Sequence, residues 1–185
     1  MTPLKDRKNA LEREFFSRQD EEAIEKLRSK NAAKARRTAL KEAAGISNES
    51  VLEAIEGAGI NTESLTALSL IPLIAVAWAD GELDDGEREA IQKAAQAHNA
   101  GDEVSKLLGS WLSAPPADSL MESWKAYIVE LKATLDPAAK QALRDQLIGG
   151  AREVAEAAGG FLGFGNKVSK EEAAVLDELA ACFDD

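Results

Sequence analysis

Cysteine and histidine are almost absent from this chain of 185 residues, which contains one cysteine, Cys182, and one histidine, His98. A single cysteine excludes a disulfide within the chain, and one histidine with one cysteine supplies no ligand set for a tetrahedral zinc site. His98 falls on an apolar stripe near a predicted helix end, and Cys182 has no flanking Lys or Arg that would activate its thiol. We therefore predict a packing role for Cys182, a packed role or one facing the C-terminal end of the helix dipole for His98, and a reducing compartment, the cytoplasm, for the protein.

Long hydrophobic runs are missing as well. The longest, residues 65–79, has 15 residues and includes Thr66 and Ser69, whereas a membrane-spanning helix needs about 20 apolar residues. The first eight residues pass directly into charged positions, which argues against a secretory signal. We expect a central core helix over residues 65–79, with Pro72 either kinking it or lying in its early part, and no spanning segment. Contact with the periphery of a membrane stays open.

Aromatic residues make up only 5% of the chain, and β-branched or aromatic residues rarely alternate with polar ones. Ala, Leu, Glu and Lys dominate, and apolar residues recur at three- and four-residue spacing, which is typical of helices. We predict an all-α fold, a compact helical bundle of about seven helices with an internal pseudo-repeat and an extended N-terminal helical arm. Trp78, Trp111 and Trp124 lie at helical spacing and are predicted to fill its core.

Charge divides the chain into two parts. Residues 1–43 carry 12 Lys/Arg and 8 Asp/Glu, whereas residues 44–185 carry 10 and 25. This asymmetry predicts a charged helical arm over residues 1–45 and an acidic helical domain over residues 46–185. The arm is too polar to be buried, so we expect it, together with the acidic surface, to bind a protein partner or a second copy.

No specific binding of nucleic acid is expected, because an acidic domain repels nucleic acid. The basic cluster from Lys30 to Lys41 has acidic neighbours and no aromatic residues, which indicates a solvated helix.

Two helix starts share one pattern. Asp84 precedes Glu87 by three positions, and Ser169 precedes Glu172 by three, as in a capping box. The neighbouring apolar residues also correspond, because Leu83 aligns with Val168 and Ile91 with Leu176. The two corners can be superposed, and their shared pattern is helix-start chemistry that requires no further explanation. A third capping box is predicted from Ser119 and Glu122.

The first corner concentrates carboxylates at Asp80, Glu82, Asp84 and Glu87. These oxygens suit a hard divalent cation such as calcium or magnesium, the one cofactor that the sequence leaves open. An EF-hand is excluded, because Asp85 stands where that loop needs glycine and Ile91 stands where it needs a closing glutamate. The alternative interpretation is that these residues only build the turn and cap the next helix.

The segment from Ala77 to Glu89, Ala-Trp-Ala-Asp-Gly-Glu-Leu-Asp-Asp-Gly-Glu-Arg-Glu, resembles the first signature of the TerB-like (tellurite-resistance) family. Residues 160–172 resemble its second half, and the resemblance covers about residues 50–183. It implies an all-helical fold with internal pseudo-symmetry, and a non-enzymatic module linked to stress responses, chemical-resistance complexes and metal binding. The family's acidic turn carries over to Asp80, Asp84 and Glu87, whereas Asn166 and Ser169 depart from it at the second turn.

A second resemblance concerns the arm, in which residues 6–12, Phe15, residues 20–22 and residues 35–37 are similar to the start of the zeta-type inhibitor of bacterial F-type ATPases. It implies a regulator that inserts its N-terminal helix into a large complex.

The sequence contains no complete catalytic motif. Gly160 and Gly165 have the spacing of a phosphate-binding loop, but no strand precedes them and no Ser/His/Asp order exists, so we expect no enzyme.

Overall fold

Helices are the regular elements of this computed structural model, which describes residues 3–98, 100–158 and 168–184, with side chains from Arg18 onward except those of Asp20 and Ala158. The described residues contain no strand. They form eight α-helices, α1 (Pro3–Ala44), α2 (Glu49–Gly57), α3 (Ile71–Ala77), α4 (Asp85–Ala97), α5 (Asp102–Ser113), α6 (Asp118–Lys132), α7 (Pro137–Ala158) and α8 (Lys170–Ala181), and a 3₁₀ helix at Leu65–Ser69. The all-α prediction is confirmed.

The chain divides into two compact units, residues 1–39 and residues 40–185. The first unit is helical throughout its described length, because it belongs to α1, which is one uninterrupted helix. Its described side chains are exposed, apart from the half-buried Arg37. The second unit begins within α1 at Leu40, since Leu40 and Ala44 are buried in its core.

The centre of the second unit is α3, which consists of apolar residues on every face. It packs against α6, α7 and α8, while α4 lies along α7 and α2 lies against α6. A short helix with no polar face is stable only when others surround it. The most deeply buried large side chains of this core are Leu40, Leu52, Ile55, Ile60, Leu70, Ile71, Ile74, Val76, Ile91, Trp124, Ile128 and Leu179.

The apolar run of residues 65–79 is not one continuous helix, as the sequence suggested, but two pieces. A 3₁₀ helix (Leu65–Ser69) is followed by α3 (Ile71–Ala77), with Pro72 in the first turn of α3. Proline lacks the backbone N–H that an interior helical position requires and is tolerated in a first turn. Pro72 therefore begins the second piece instead of kinking a longer one.

Two other predictions were wrong. His98 ends α4 as expected, but its side chain is exposed instead of lying on the inward stripe. Ser119 does not cap α6, because this helix starts at Asp118 after Ala117, and no side chain caps it. Ser119 is the second residue of α6, so it lies inside the helix and cannot precede it as an N-cap, whereas His98 lies at the C-cap of α4, just beyond its last helical residue, Ala97.

No helix among the described residues is long and apolar enough to cross a membrane. The glycine spacing of Gly160 and Gly165 lies outside the described residues.

Candidate functional site

The acidic corner between α3 and α4, residues 80–87, begins with a tight turn. Gly81 adopts a φ of 92°, a left-handed conformation that glycine reaches without steric cost. Next to it, the side chain of Asp80 accepts a hydrogen bond of 3.0 Å from the backbone N–H of Glu82. The turn thus reverses the chain within a few residues and leaves the side chains of Asp80 and Glu82 exposed.

The capping box predicted at the start of α4 is present. The Asp84 carboxylate accepts a 2.8 Å hydrogen bond from the N–H of Glu87, and the Glu87 carboxylate accepts a 3.0 Å bond from the N–H of Asp84. Two backbone donors at the helix start, which have no partner within the helix, are satisfied in this way. The pairing also turns the Glu87 side chain back toward the protein.

The second corner, at the start of α8, repeats this arrangement. Ser169 Oγ accepts a 3.1 Å bond from the N–H of Glu172, and the Glu172 carboxylate accepts a 2.5 Å bond from the N–H of Ser169. Both glutamates are buried, with 4% of Glu87 and 5% of Glu172 exposed. The aligned apolar residues also behave alike, since Ile91 and Leu176 are buried while Leu83 and Val168 pack on the core from its edge.

Glu87 is the most perturbed acid of the acidic corner. Burial is the largest cause that raises its pKa, to about 8, and the hydrogen bond with the backbone of Asp84 opposes this. The like charges of Asp84, Glu172 and Asp80 raise the pKa further. Because Glu172 belongs to the other corner, the two helix starts lie within electrostatic reach of each other.

A glycine holds the acidic corner against α7. A Cβ atom added at Gly86, the second residue of α4, would lie 2.8 Å from the backbone oxygen of Ala157. The sequence alone did not reveal this contact, because a glycine in a first helical turn has no pattern that marks a neighbouring backbone. The corner is therefore anchored to the end of α7 by backbone packing as well as by its capping box.

The four predicted cation ligands occupy two different environments. Asp80, Glu82 and Asp84 are exposed, whereas Glu87 is buried and turned toward the core. The capping box brings Asp84 and Glu87 together, and both use carboxylate oxygens on backbone N–H groups. Within the described ranges, no three or more His, Cys, Asp or Glu side chains are placed to hold a metal ion. The geometry supports the helix-start interpretation, and Asn166, in the second turn, lies outside the described residues.

The remaining residues singled out in the sequence have packing roles. Trp124 is completely buried, and Trp111 is 7% exposed, so both fill the core as predicted. The Trp78 indole N–H donates a 2.9 Å hydrogen bond to the carbonyl of Trp111. Burial raises the pKa of the half-buried Cys182 thiol, which therefore forms less of the reactive thiolate.

The second surface of interest is α1, for which we define the arm surface as residues 18–39. Its described residues include two exposed large apolar side chains, Ile24 (48% exposed) and Leu27 (60% exposed). Charged residues surround them, with acids mainly on the N-terminal side and Lys and Arg on the C-terminal side. A helix of this kind carries binding groups away from any core of its own.

No family model, no curated protein and no solved structure matches this chain.

Proposed function

We propose that this protein is a non-enzymatic, TerB-like interaction module of a cytoplasmic stress-response assembly, and that the arm surface (residues 18–39) binds its protein partner. The observation that carries the proposal is the exposure of Ile24 and Leu27 on a helix whose described neighbours are almost all exposed. The resemblance of the acidic corner and of residues 160–172 to the TerB-like signatures supports the choice of module.

Exposure of these two side chains favours binding for an energetic reason. Burying a leucine or isoleucine fully is worth about 1.5–3 kcal/mol, and roughly half of each side chain's surface remains exposed in the folded chain, 48% for Ile24 and 60% for Leu27. The charged residues beside them add selectivity, because a wrong partner would place like charges against them or leave them without an opposite charge. A partner that covers both side chains therefore gains apolar burial and a defined charge pattern at the same time.

A capture experiment tests the arm surface in the full-length chain. We expect the double variant Ile24→Gln and Leu27→Gln to lose at least tenfold in recovery of the protein cross-linked to it, whether another protein or a second copy, identified by mass spectrometry, since a lost apolar contact of about 1.4 kcal/mol is tenfold in affinity. Val129→Gln is the matched control, because Val129 on α6 is also a large apolar residue with 52% of its surface exposed.

Equal recovery with the wild type and the arm variant would contradict the arm surface as the binding site. Equal loss with the arm variant and Val129→Gln would show that general hydrophobicity, and not this position, governs capture. Circular dichroism of each variant checks that the helix content is unchanged, so that a lost interaction is not mistaken for a lost helix.

The resemblance also implies divalent-cation binding at the acidic corner, and this part of the proposal has its own test. We expect calcium to release or absorb heat in a calorimetric titration of the full chain, and Asp80→Asn with Asp84→Asn to remove that heat, because both substitutions delete hard oxygen charge. Asparagine at position 84 still caps a helix, so α4 is retained.

The control for the calcium titration removes two charges elsewhere. Asp102 and Asp118 are exposed acids at the first positions of α5 and α6, so Asp102→Asn with Asp118→Asn matches the change in net charge. A titration that is the same for the wild type and both double variants would reject cation binding at the acidic corner and leave the capture result untouched.

A further inference from the structure

The apolar part of the arm surface is small and sharply bounded. Ile24 and Leu27 are three positions apart, so they lie next to each other on one face of α1. Ala23 and the charged residues around them offer no further large apolar group. A partner that covers this patch must therefore present an equally short apolar patch between charges.

The charges of the arm surface divide at this patch. Glu21 and Glu22 precede the patch and Glu25 lies between Ile24 and Leu27, and all three side chains are exposed. From Lys26 to Arg36 the sequence has no acid and five exposed bases, which are Lys26, Arg28, Lys30, Lys34 and Arg36. The helix is thus acidic before its patch and basic after it.

We propose that the partner of the arm surface is a second copy of this chain, paired with it through an antiparallel contact of the two α1 helices around a twofold axis between Glu25 and Lys26. The inference rests on the proposed function, in which the arm surface binds protein. In this register Ile24 of each copy faces Leu27 of the other. Four apolar side chains that are exposed in the single chain then cover one another.

The residues beside the patch complement each other in the same register. When Ile24 and Leu27 occupy the facing positions of two antiparallel helices, Glu21 of one copy lies beside Arg28 of the other, on both sides of the twofold axis. Within one chain these two residues are seven positions apart, roughly 10 Å along the helix, which is too far for an ion pair. Their opposite charges therefore do not pair with each other within one chain.

A parallel pairing lacks this complementarity. It places Glu21 level with Glu21 and Arg28 level with Arg28, so that the acidic segments meet each other and the basic segments meet each other. Like charges at such positions oppose association, and opposite charges set the orientation of paired helices. The charge division of α1 thus selects the antiparallel arrangement.

Sedimentation velocity of the full chain over a wide concentration range tests the pairing. The wild type is expected to form a dimer, and Glu21→Arg or Arg28→Glu alone is expected to weaken it about tenfold, because each turns two attractive contacts into repulsive ones. The double variant carrying both substitutions restores opposite charges across the contact and should recover the wild-type dissociation constant within about threefold. Lys93→Glu, on the exposed face of α4, is the control for charge reversal at a distant position.

A distance measurement tests the orientation. With Cys182→Ser to remove the native thiol, a nitroxide attached at Lys34→Cys should give an axial separation of roughly 25 Å in the antiparallel dimer, because position 34 lies opposite position 17 and each residue rises about 1.5 Å. A parallel dimer would instead bring the two labels to the same level.

The outcomes separate this inference from the proposed function. A monomer at every concentration overturns the self-pairing, while loss of heterologous capture by the Ile24→Gln and Leu27→Gln variant would still support the arm as a binding surface. A dimer whose labels lie at the same level, or one that the double charge exchange fails to restore, overturns the antiparallel register. If the wild type dimerises and the Ile24→Gln and Leu27→Gln variant still captures another protein as well as the wild type does, the arm surface binds only the second copy.

Discussion

Replacing Glu87 by glutamine is expected to stabilise the protein increasingly as the pH rises from about 4.5 to about 8. The folded-state pKa of Glu87 is raised to about 8 from an ordinary value of 4.5. Below 4.5 the carboxyl is neutral in both states. Between the two values the unfolded chain ionises while the folded chain keeps its proton, so stability falls as the pH rises, and the loss is complete above about 8.

Glutamine removes this dependence without removing the hydrogen bond. Its side-chain carbonyl can still accept from the N–H of Asp84, since a capping box takes glutamate or glutamine. We expect the free energy of unfolding of Glu87→Gln to exceed that of the wild type by about 1–2 kcal/mol at pH 9, after allowance for screening by nearby water. At pH 4.5 the two proteins should be nearly equal.

Thermal unfolding at several pH values measures this difference, which corresponds to roughly 3–6 °C for a chain of this size. Glu82→Gln is the matched control, because Glu82 belongs to the same corner but is exposed. A Glu87→Gln effect that is constant from pH 4.5 to pH 9 would show that the burial of Glu87 does not hold its proton.

Replacing Gly86 by alanine is expected to destabilise the protein by about 1–3 kcal/mol, the usual cost of overpacking a tightly filled site. The new Cβ would lie 2.8 Å from the carbonyl oxygen of Ala157, and this neighbour is backbone, which cannot rotate away. The start of α4 must therefore move from the end of α7. Urea unfolding followed by circular dichroism measures the loss.

Gly149→Ala is the control for Gly86→Ala, because it also replaces a helical glycine by alanine but is expected to stabilise the protein. Gly149 lies within α7, is exposed, and has nothing within 4 Å of an added Cβ, so alanine should stabilise by about 0.5–1 kcal/mol through helix propensity. If both substitutions stabilised the protein equally, the close approach of α4 to α7 would not exist in solution. If both destabilised it equally, the cost would not be specific to Gly86.

These two results bear on how firmly the acidic corner is held. Glu87 ties it to the core through a buried carboxylate, and Gly86 ties it through direct backbone contact. A corner held at both points keeps the exposed Asp80, Glu82 and Asp84 in a fixed arrangement. Any cation or basic partner would then meet a preformed acidic turn and not a loop that must first become ordered.

Local patterns were sufficient for much of this protein. The three-residue spacing from Asp84 to Glu87 and from Ser169 to Glu172 predicted both capping boxes, because a cap depends on groups within one helical turn. The composition of residues 1–45 predicted a helical arm, but only the structure decided that it is one continuous helix, α1.

Long-range packing decided the rest. Whether Glu87 faces water or the core depends on which helices cover the corner, and the nearby charge of Glu172 comes from a residue far along the chain. The contact of Gly86 with Ala157 likewise joins two segments whose proximity no local spacing encodes. Hydrogen bonds within one turn are specified by neighbouring residues, whereas burial and its effect on a charge arise only when distant helices pack together.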